Sequence, residues 1–258
     1  MTPGSFRLTA VVERTKLGSV RMSNHVREVV IGSVGEFELA LRRLSDRHYI
    51  YRGENAPGYT LRPRVGRFEP AARAVEMEKA LLDEFKKRAQ PLLSSTPASD
   101  WEWLALAERH GLATRLLEWT ANPFEAAFWA AQEPYLGGDR VLYVLDCTGI
   151  PVGPVTGASP FAVQVVTLYR PTQSSEGVTA QCDVYTLHPN PTAAFEVEGL
   201  ERWLIKDEAL TAICMTVDGY GTDDEALTYA DLDFMCRKLD WDWEVGILAD
   251  AGGMRGRK

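Results

Sequence analysis

The chain has 258 residues, 45% hydrophobic and 25% charged, the make-up of a soluble globular protein with material for one large domain and a sizeable core. Its formal net charge of -8 argues against a sequence-independent grip on nucleic acid, which needs a basic surface, but leaves room for a small local anion site. No apolar run reaches the roughly 18 residues of a membrane span, and no charged-then-apolar leader is read, so the expected location is the cytoplasm. Cys147, Cys182, Cys214 and Cys236 make no C-x-x-C pair and are expected as reduced thiols. His25, His48, His110 and His188 form no H-x-x-x-H or H-E-x-x-H, so no metal site is predicted, and no G-x-G-x-x-G follows a strand.

Residues 1–32 read as β-rich, with strands over 6–12 and 26–31 and a polar gap between them. Ser33-Val34-Gly35-Glu36 is a capping box, and Phe37, Ala40, Leu41 and Leu44 form the apolar face of a helix ending near Asp46. Tyr49-Ile50-Tyr51 predicts a short strand with Arg52 at its exit. Gly53 then lets the backbone turn or approach something closely. An arginine there suits a phosphate or carboxylate clamp, or a structural ion pair. Leu61-Arg62-Pro63-Arg64-Val65-Gly66-Arg67 adds three arginines, a basic cluster on an acidic chain. Residues 70–90 predict a long helix with Ala74, Met77, Leu81, Phe85 and Ala89 on or near one face. Residues 91–99 read as a loop. A second helix starts near Asp100, carries Trp101, Leu104, Ala105 and Glu108, and ends at Gly111 with His110 in its last turn.

His110-Gly111-Leu112-Ala113-Thr114-Arg115-Leu116-Leu117-Glu118-Trp119-Thr120 is the most unusual stretch. Arg115 and Glu118 bracket two leucines inside a segment suited to burial, where charges must be paired or cost several kcal/mol each, to order of magnitude. Two readings stay open: an Arg115–Glu118 ion pair that holds the fold, or a site. Asn122-Pro123-Phe124-Glu125 then starts a helix, with Asn122 as its cap and Phe124, Ala127, Phe128 and Ala131 as its apolar stripe. Residues 141–145 are continuously apolar and predict a strand buried on both faces. Residues 149–160 read as a loop. Further strands are expected over 162–169, 181–187 and 210–217, then a helix over 225–239 and a disordered tail over 252–258. The fold class is therefore α+β: one domain whose helices, concentrated in the first half, pack on a mainly antiparallel sheet.

Tyr51-Arg52-Gly53, Leu61-x-Pro63, Arg67 and the block from His110 to Pro123 resemble the FRG domain family, named for a Phe-Arg-Gly triplet like the one at 51–53. The likeness extends through Ala126-Ala127-Phe128-Trp129-Ala130, the strand near 141–145 and, more weakly, Ala230-Asp231-Leu232-Asp233. It divides the chain into a β-rich extension over 1–33, an FRG-like domain over 34–240 and a tail over 241–258. The family has Asp where this chain has Glu118. Its late Gln-x-Gly-type segment has its nearest equivalent here in Glu196-Val197-Glu198-Gly199. FRG domains occur in bacteria and phages, in settings that suggest toxins and phage defence. A weaker likeness, in the order of Arg52, Thr120 and Glu198, points to ADP-ribosyltransferases.

That likeness implies NAD as co-substrate. Arg52, with Gly53, Arg62, Thr114 and Arg115 around it, would hold the diphosphate; Tyr51 or Trp119 would stack on a ring; Thr120 would position the ribose. Glu198, Glu118 and His110 are the catalytic candidates, a glutamate stabilising an oxocarbenium-like transition state. The first functional expectation is NAD-dependent ADP-ribosyl transfer or NAD hydrolysis, with a protein or nucleic acid as a candidate acceptor. The alternatives are a non-catalytic module for a phosphorylated ligand or protein partner, and a metal-dependent nuclease or hydrolase using His110 with Glu118.

Overall fold

The computed structural model of the chain describes residues 20–23, 26–44, 48–55, 58, 60–68, 70–131, 138–154, 158–171 and 184–217. Expectations for 6–12, 225–239 and 252–258 lie outside those residues. What is described stacks as four layers: three helices, a five-stranded sheet, a four-stranded sheet and two helices. It is a mixed, largely antiparallel α+β architecture, as the sequence implies, with the strands divided between two sheets.

The first sheet has the order β1 (Val20–Ser23), β2 (Val26–Ile31), β9 (Leu200–Ile205), β5 (Arg140–Asp146), β3 (Tyr49–Glu54). Only β2 and β9 pair in parallel. One face is covered by α1 (Val34–Arg42), α4 (Pro123–Ala131) and α5 (Asp207–Val217), around Phe37, Trp203, Leu142 and Ile213. The second sheet runs β4 (Leu116–Trp119), β8 (Val184–Leu187), β7 (Thr167–Tyr169), β6 (Val152–Gly153), with β6 and β7 parallel. Its outer face carries α2 (Ala71–Ala89) and α3 (Asp100–Arg109), packed on Leu116, Tyr185 and Leu187. The inner faces meet through Ile50, Leu117, Trp119, Val141, Leu145 and Val184. The sheets join at the Tyr51–Thr120 bridge, where each residue donates its N–H to the other's carbonyl at 2.7 and 2.8 Å.

The helix starts follow from side-chain chemistry. Ser33 accepts the Glu36 N–H while Glu36 Oε2 accepts from Gly32 N at 2.7 Å, so the box closes one residue further out than its simplest form. Ser99 and Glu102 repeat this at α3, with Glu102 reaching Ala98 N. Ser99→Ala is expected to cost about 1 kcal/mol, read as a lower denaturation midpoint with unchanged slope. At α4 the box runs through a third residue: Asn122 Oδ1 accepts from Phe124 N at 3.0 Å, Glu125 accepts the Thr120 hydroxyl at 2.5 Å, and Thr120 accepts Asn122 N at 3.0 Å. Gly111, at φ 82°, closes α3 as expected.

Four expectations need correction. On α2 the buried stripe is Glu78, Leu82 and Ala89, while Met77 and Leu81 are exposed; the helix turns its glutamate inward because an arginine waits there. Residues 210–217 belong to α5, a helix whose first turn carries Asp207 and Glu208 beside the positive end of its dipole. Four strands were unforeseen: β1, in the supposed polar gap; β4, inside the unassigned stretch after Gly111; the two-residue β6, in the supposed loop over 149–160; and β9, whose charges hid it. Finally, β3 continues through Arg52 and Gly53 to Glu54, so Arg52 sits within the strand.

Candidate functional site

Strand alternation puts Ile50, Arg52 and Glu54 on the face of β3 turned toward the second sheet, and Tyr49, Tyr51 and Gly53 toward α4. Arg52 Nε donates to Glu54 Oε1 at 2.9 Å, and Nη1 donates to the Glu118 carbonyl at 2.8 Å, tying the two sheets near the Tyr51–Thr120 bridge. Its Nη2 has no partner among the described residues. Glu54 also pairs with Arg67, whose Nη2 lies 3.6 Å from Oε1, and Arg67 Nε donates to the Arg62 carbonyl. Arg64 and Arg67 belong to a short 3-10 turn, Arg64–Arg67, pinned by Val65 N–H on the Thr114 carbonyl. Gly66 is required there: an added Cβ would lie 1.8 Å from the Pro191 carbonyl oxygen.

The other wall of the cluster comes from α3 and β8. Half-buried Glu108 accepts the Thr114 hydroxyl at 2.7 Å. Burial raises its carboxyl above the usual range, a shift the Thr114 hydrogen bond and the nearby charges of Arg64 and Arg52 oppose but do not cancel. Arg64 is exposed and makes no hydrogen bond or ion pair among the described residues. His188 is 3% exposed, its ring edge-on to Phe195. Trp119 Nε1–H donates to Thr186 Oγ1 at 2.9 Å, and Thr186 Oγ1 shares a second hydrogen bond with His188 Nε2, also at 2.9 Å, its direction set by the tautomer of the ring. Burial, reinforced by the charge of Arg52, lowers its pKa to about 3.

Arg52, Glu54, Arg64, Arg67, Glu108, Thr114 and His188 thus form one cluster at the mouth of the space between the sheets. Arginines outnumber carboxylates, on a chain of net charge -8. Such a cluster can hold an anion by charge-assisted hydrogen bonds from guanidinium N–H groups, beside a carboxyl able to give or take a proton.

The sequence-derived candidates divide around it. Arg52 and Thr114 belong to the cluster. Arg62 borders it, donating from Nη1 to the Thr192 carbonyl at 3.4 Å while its buried Nε has no acceptor. Arg115 is elsewhere: it forms a buried ion pair with Glu78 of α2, Nη2 to Oε2 2.8 Å, and stacks over Phe161 with its Cζ 4.7 Å from the ring centroid. This corrects both readings of Arg115, because its partner is Glu78 instead of Glu118 and it does not converge with Arg52. Glu118 reaches Arg52 only through its carbonyl, its side chain being exposed on β4. Trp119, 2% exposed, is core, and so is Tyr51, whose hydroxyl burial pushes up to about 12. Thr120 serves the α4 cap and the bridge between the sheets.

Gly53 lets β3 lie directly on α4, the close approach foreseen for it: an added Cβ would be 1.9 Å from the Ala126 carbonyl oxygen. His110 is the exposed C-cap of α3. Glu198 is exposed in the loop before β9, beside Gly199, whose carbonyl accepts Asp146 N at the Tyr49 end of the sheet. Glu54, Arg64, Glu108 and His188 went unassigned from sequence. Glu54 had a usable signal, since it lies two residues after Arg52 on a strand and so on the same face.

Residues 47–136 match the family model of the FRG domain. No match to the chain is found among curated proteins or among solved structures.

Proposed function

Because the chain carries an FRG domain whose namesake arginine is Arg52, we propose that this domain binds a phosphate-bearing small molecule at the arginine cluster between its sheets. The observation that carries the reading is Arg64: an exposed guanidinium with no hydrogen-bond or ion-pair partner among the described residues, sharing Glu108 with Arg52, whose Nη2 also lacks a partner among them. Two guanidinium groups with donors to spare, on an acidic chain, suit a diphosphate better than any neutral ligand. NAD is the first ligand to try. The ADP-ribosyl-transfer or NAD-hydrolysing reading draws on one further observation, the Glu108 carboxyl beside the Thr114 hydroxyl, a pair suited to hydrogen-bonding a ribose as nicotinamide leaves. The hydrolase reading has no comparable support, since among the described residues no three His, Cys, Asp or Glu side chains stand together as metal ligands.

Titration calorimetry with pyrophosphate, ADP and NAD tests the proposal. Pyrophosphate is expected to bind, and Arg52→Ala or Arg64→Ala to weaken it at least tenfold, or about 1.4 kcal/mol. Sulfate, which does not titrate in this range, should bind more tightly as pH falls, because Glu108 takes up its proton above the usual carboxylate range and removes a negative charge. His188 stays neutral down to about pH 3, so its ring adds no positive charge to the cluster near neutrality. A folded protein that ignores pyrophosphate, or binds it equally well in both variants, overturns the reading. Nicotinamide release from NAD that Glu108→Gln abolishes would establish the enzyme.

A further inference from the structure

A second hollow lies away from the arginine cluster, and none of the cluster's residues lines it. It measures about 640 Å³ and opens between the β3 edge of the first sheet, α1 and the β7–β8 part of the second sheet. That volume falls within the range of roughly 300–1,000 Å³ usual for small-molecule sites. Ile50, Leu168 and Val184 give it an apolar floor, all of them buried in the core between the sheets. Its rim holds Val152, 70% exposed, and Arg170, also exposed.

Among the described residues Arg170 is the one arginine, lysine or carboxylate side chain in the lining, and it makes no ion pair or side-chain hydrogen bond with any of them. The remaining polar groups are His48, Cys147 and two tyrosines. Burial pushes the Cys147 thiol up to about 11, so at neutral pH it is a protonated thiol and a poor nucleophile. This lining favours binding over attack by the thiol.

From the apolar floor and a rim cation unpaired among the described residues, we infer that this hollow binds a small amphipathic anion: an aromatic or branched apolar body in the floor, and one carboxylate, sulfonate or phosphate at Arg170. The apolar floor disfavours a highly charged ligand such as a dinucleotide, whose second charge would find no partner. The arginine at the rim disfavours a cation. The site is independent of the phosphate reading above.

Two fluorescent probes with nearly the same body test the inference on the full chain. 8-Anilinonaphthalene-1-sulfonate carries one sulfonate; N-phenyl-1-naphthylamine carries none. The sulfonate is expected to saturate one site and to bind more tightly than the amine. Arg170→Met should weaken the sulfonate about tenfold and leave the amine unchanged, while Arg170→Lys keeps most of the affinity. Val152→Trp should weaken both probes by narrowing the mouth. Both substituted positions are exposed, so the variants should keep the wild-type thermal transition. Equal affinities of the two probes for the wild type, or sulfonate binding that survives both Arg170→Met and Val152→Trp, overturns the inference.

Discussion

Replacing Glu78 with alanine is expected to lower the unfolding free energy by about 3–5 kcal/mol, the cost of stranding a buried charge. Glu78 Oε1 accepts the backbone N–H of Arg115 at 2.6 Å, and Oε2 accepts from Nε at 2.9 Å and Nη2 at 2.8 Å. The two side chains are 1% and 7% exposed, so water cannot stand in for the lost carboxylate. A guanidinium cannot shed its proton in a protein, which leaves Arg115 charged and without its acceptor. The reverse change is expected to be milder. With Arg115→Met the glutamate can neutralise itself, and burial already raises its carboxyl against the opposing pull of Arg115. Joint replacement, Glu78→Leu with Arg115→Met, should recover much of the loss because neither charge remains. Urea unfolding of the three variants checks the order. A Glu78→Ala variant as stable as Arg115→Met would contradict it.

Gly53→Ala is the second large effect. A Cβ at that position would stand 1.9 Å from the Ala126 carbonyl oxygen and 2.6 Å from Ala130 N, both of them α4 backbone. No side chain can swing aside to relieve this. Strand and helix must separate, and Ala126, Ala127 and Ala130, none of them exposed at all, lose their packing. Overpacking typically costs about 1–3 kcal/mol, and a backbone-on-backbone clash belongs at or beyond the top of that range. The measurement is the midpoint of chemical denaturation, set beside Gly35→Ala, where an added Cβ meets nothing within 4 Å. Equal midpoints for the two variants would refute the argument.

These two residues also show how far the sequence could be read. Gly53 announced a close approach, and the structure supplies its object in α4. The charge at 115 announced a buried partner, yet spacing alone suggested Glu118, three residues away. On a strand, positions 115 and 118 point to opposite faces, and the true partner lies 37 residues earlier on a helix. Glu78 was hidden because an inward-turned glutamate looks like a break in an apolar stripe, which shifted the assigned face of α2 toward Met77 and Leu81. Strand β9 was hidden similarly: Glu201 and Arg202 read as surface residues until Arg43 and Glu28 are seen beside them. The helix at Asp207–Val217 was mistaken for a strand because Thr211, Ile213, Thr216 and Val217 favour extended chain locally. Elements with strong caps or strict patterns, such as α3 with its Gly111 ending and the fully buried β5, were legible throughout. Of the site, the arginines were visible as a local excess of charge. Glu108 and His188 join them only through tertiary packing, which no local pattern records.

The Tyr51–Thr120 bridge has one more implication. It is the sole strand-to-strand backbone link between the sheets among the described residues, made of just two hydrogen bonds. The contact from Arg52 to the Glu118 carbonyl adds a third tie beside it. A ligand drawing the Arg52 guanidinium to itself would compete with that tie, so at this arginine anchoring the seam and binding an anion draw on the same N–H donors.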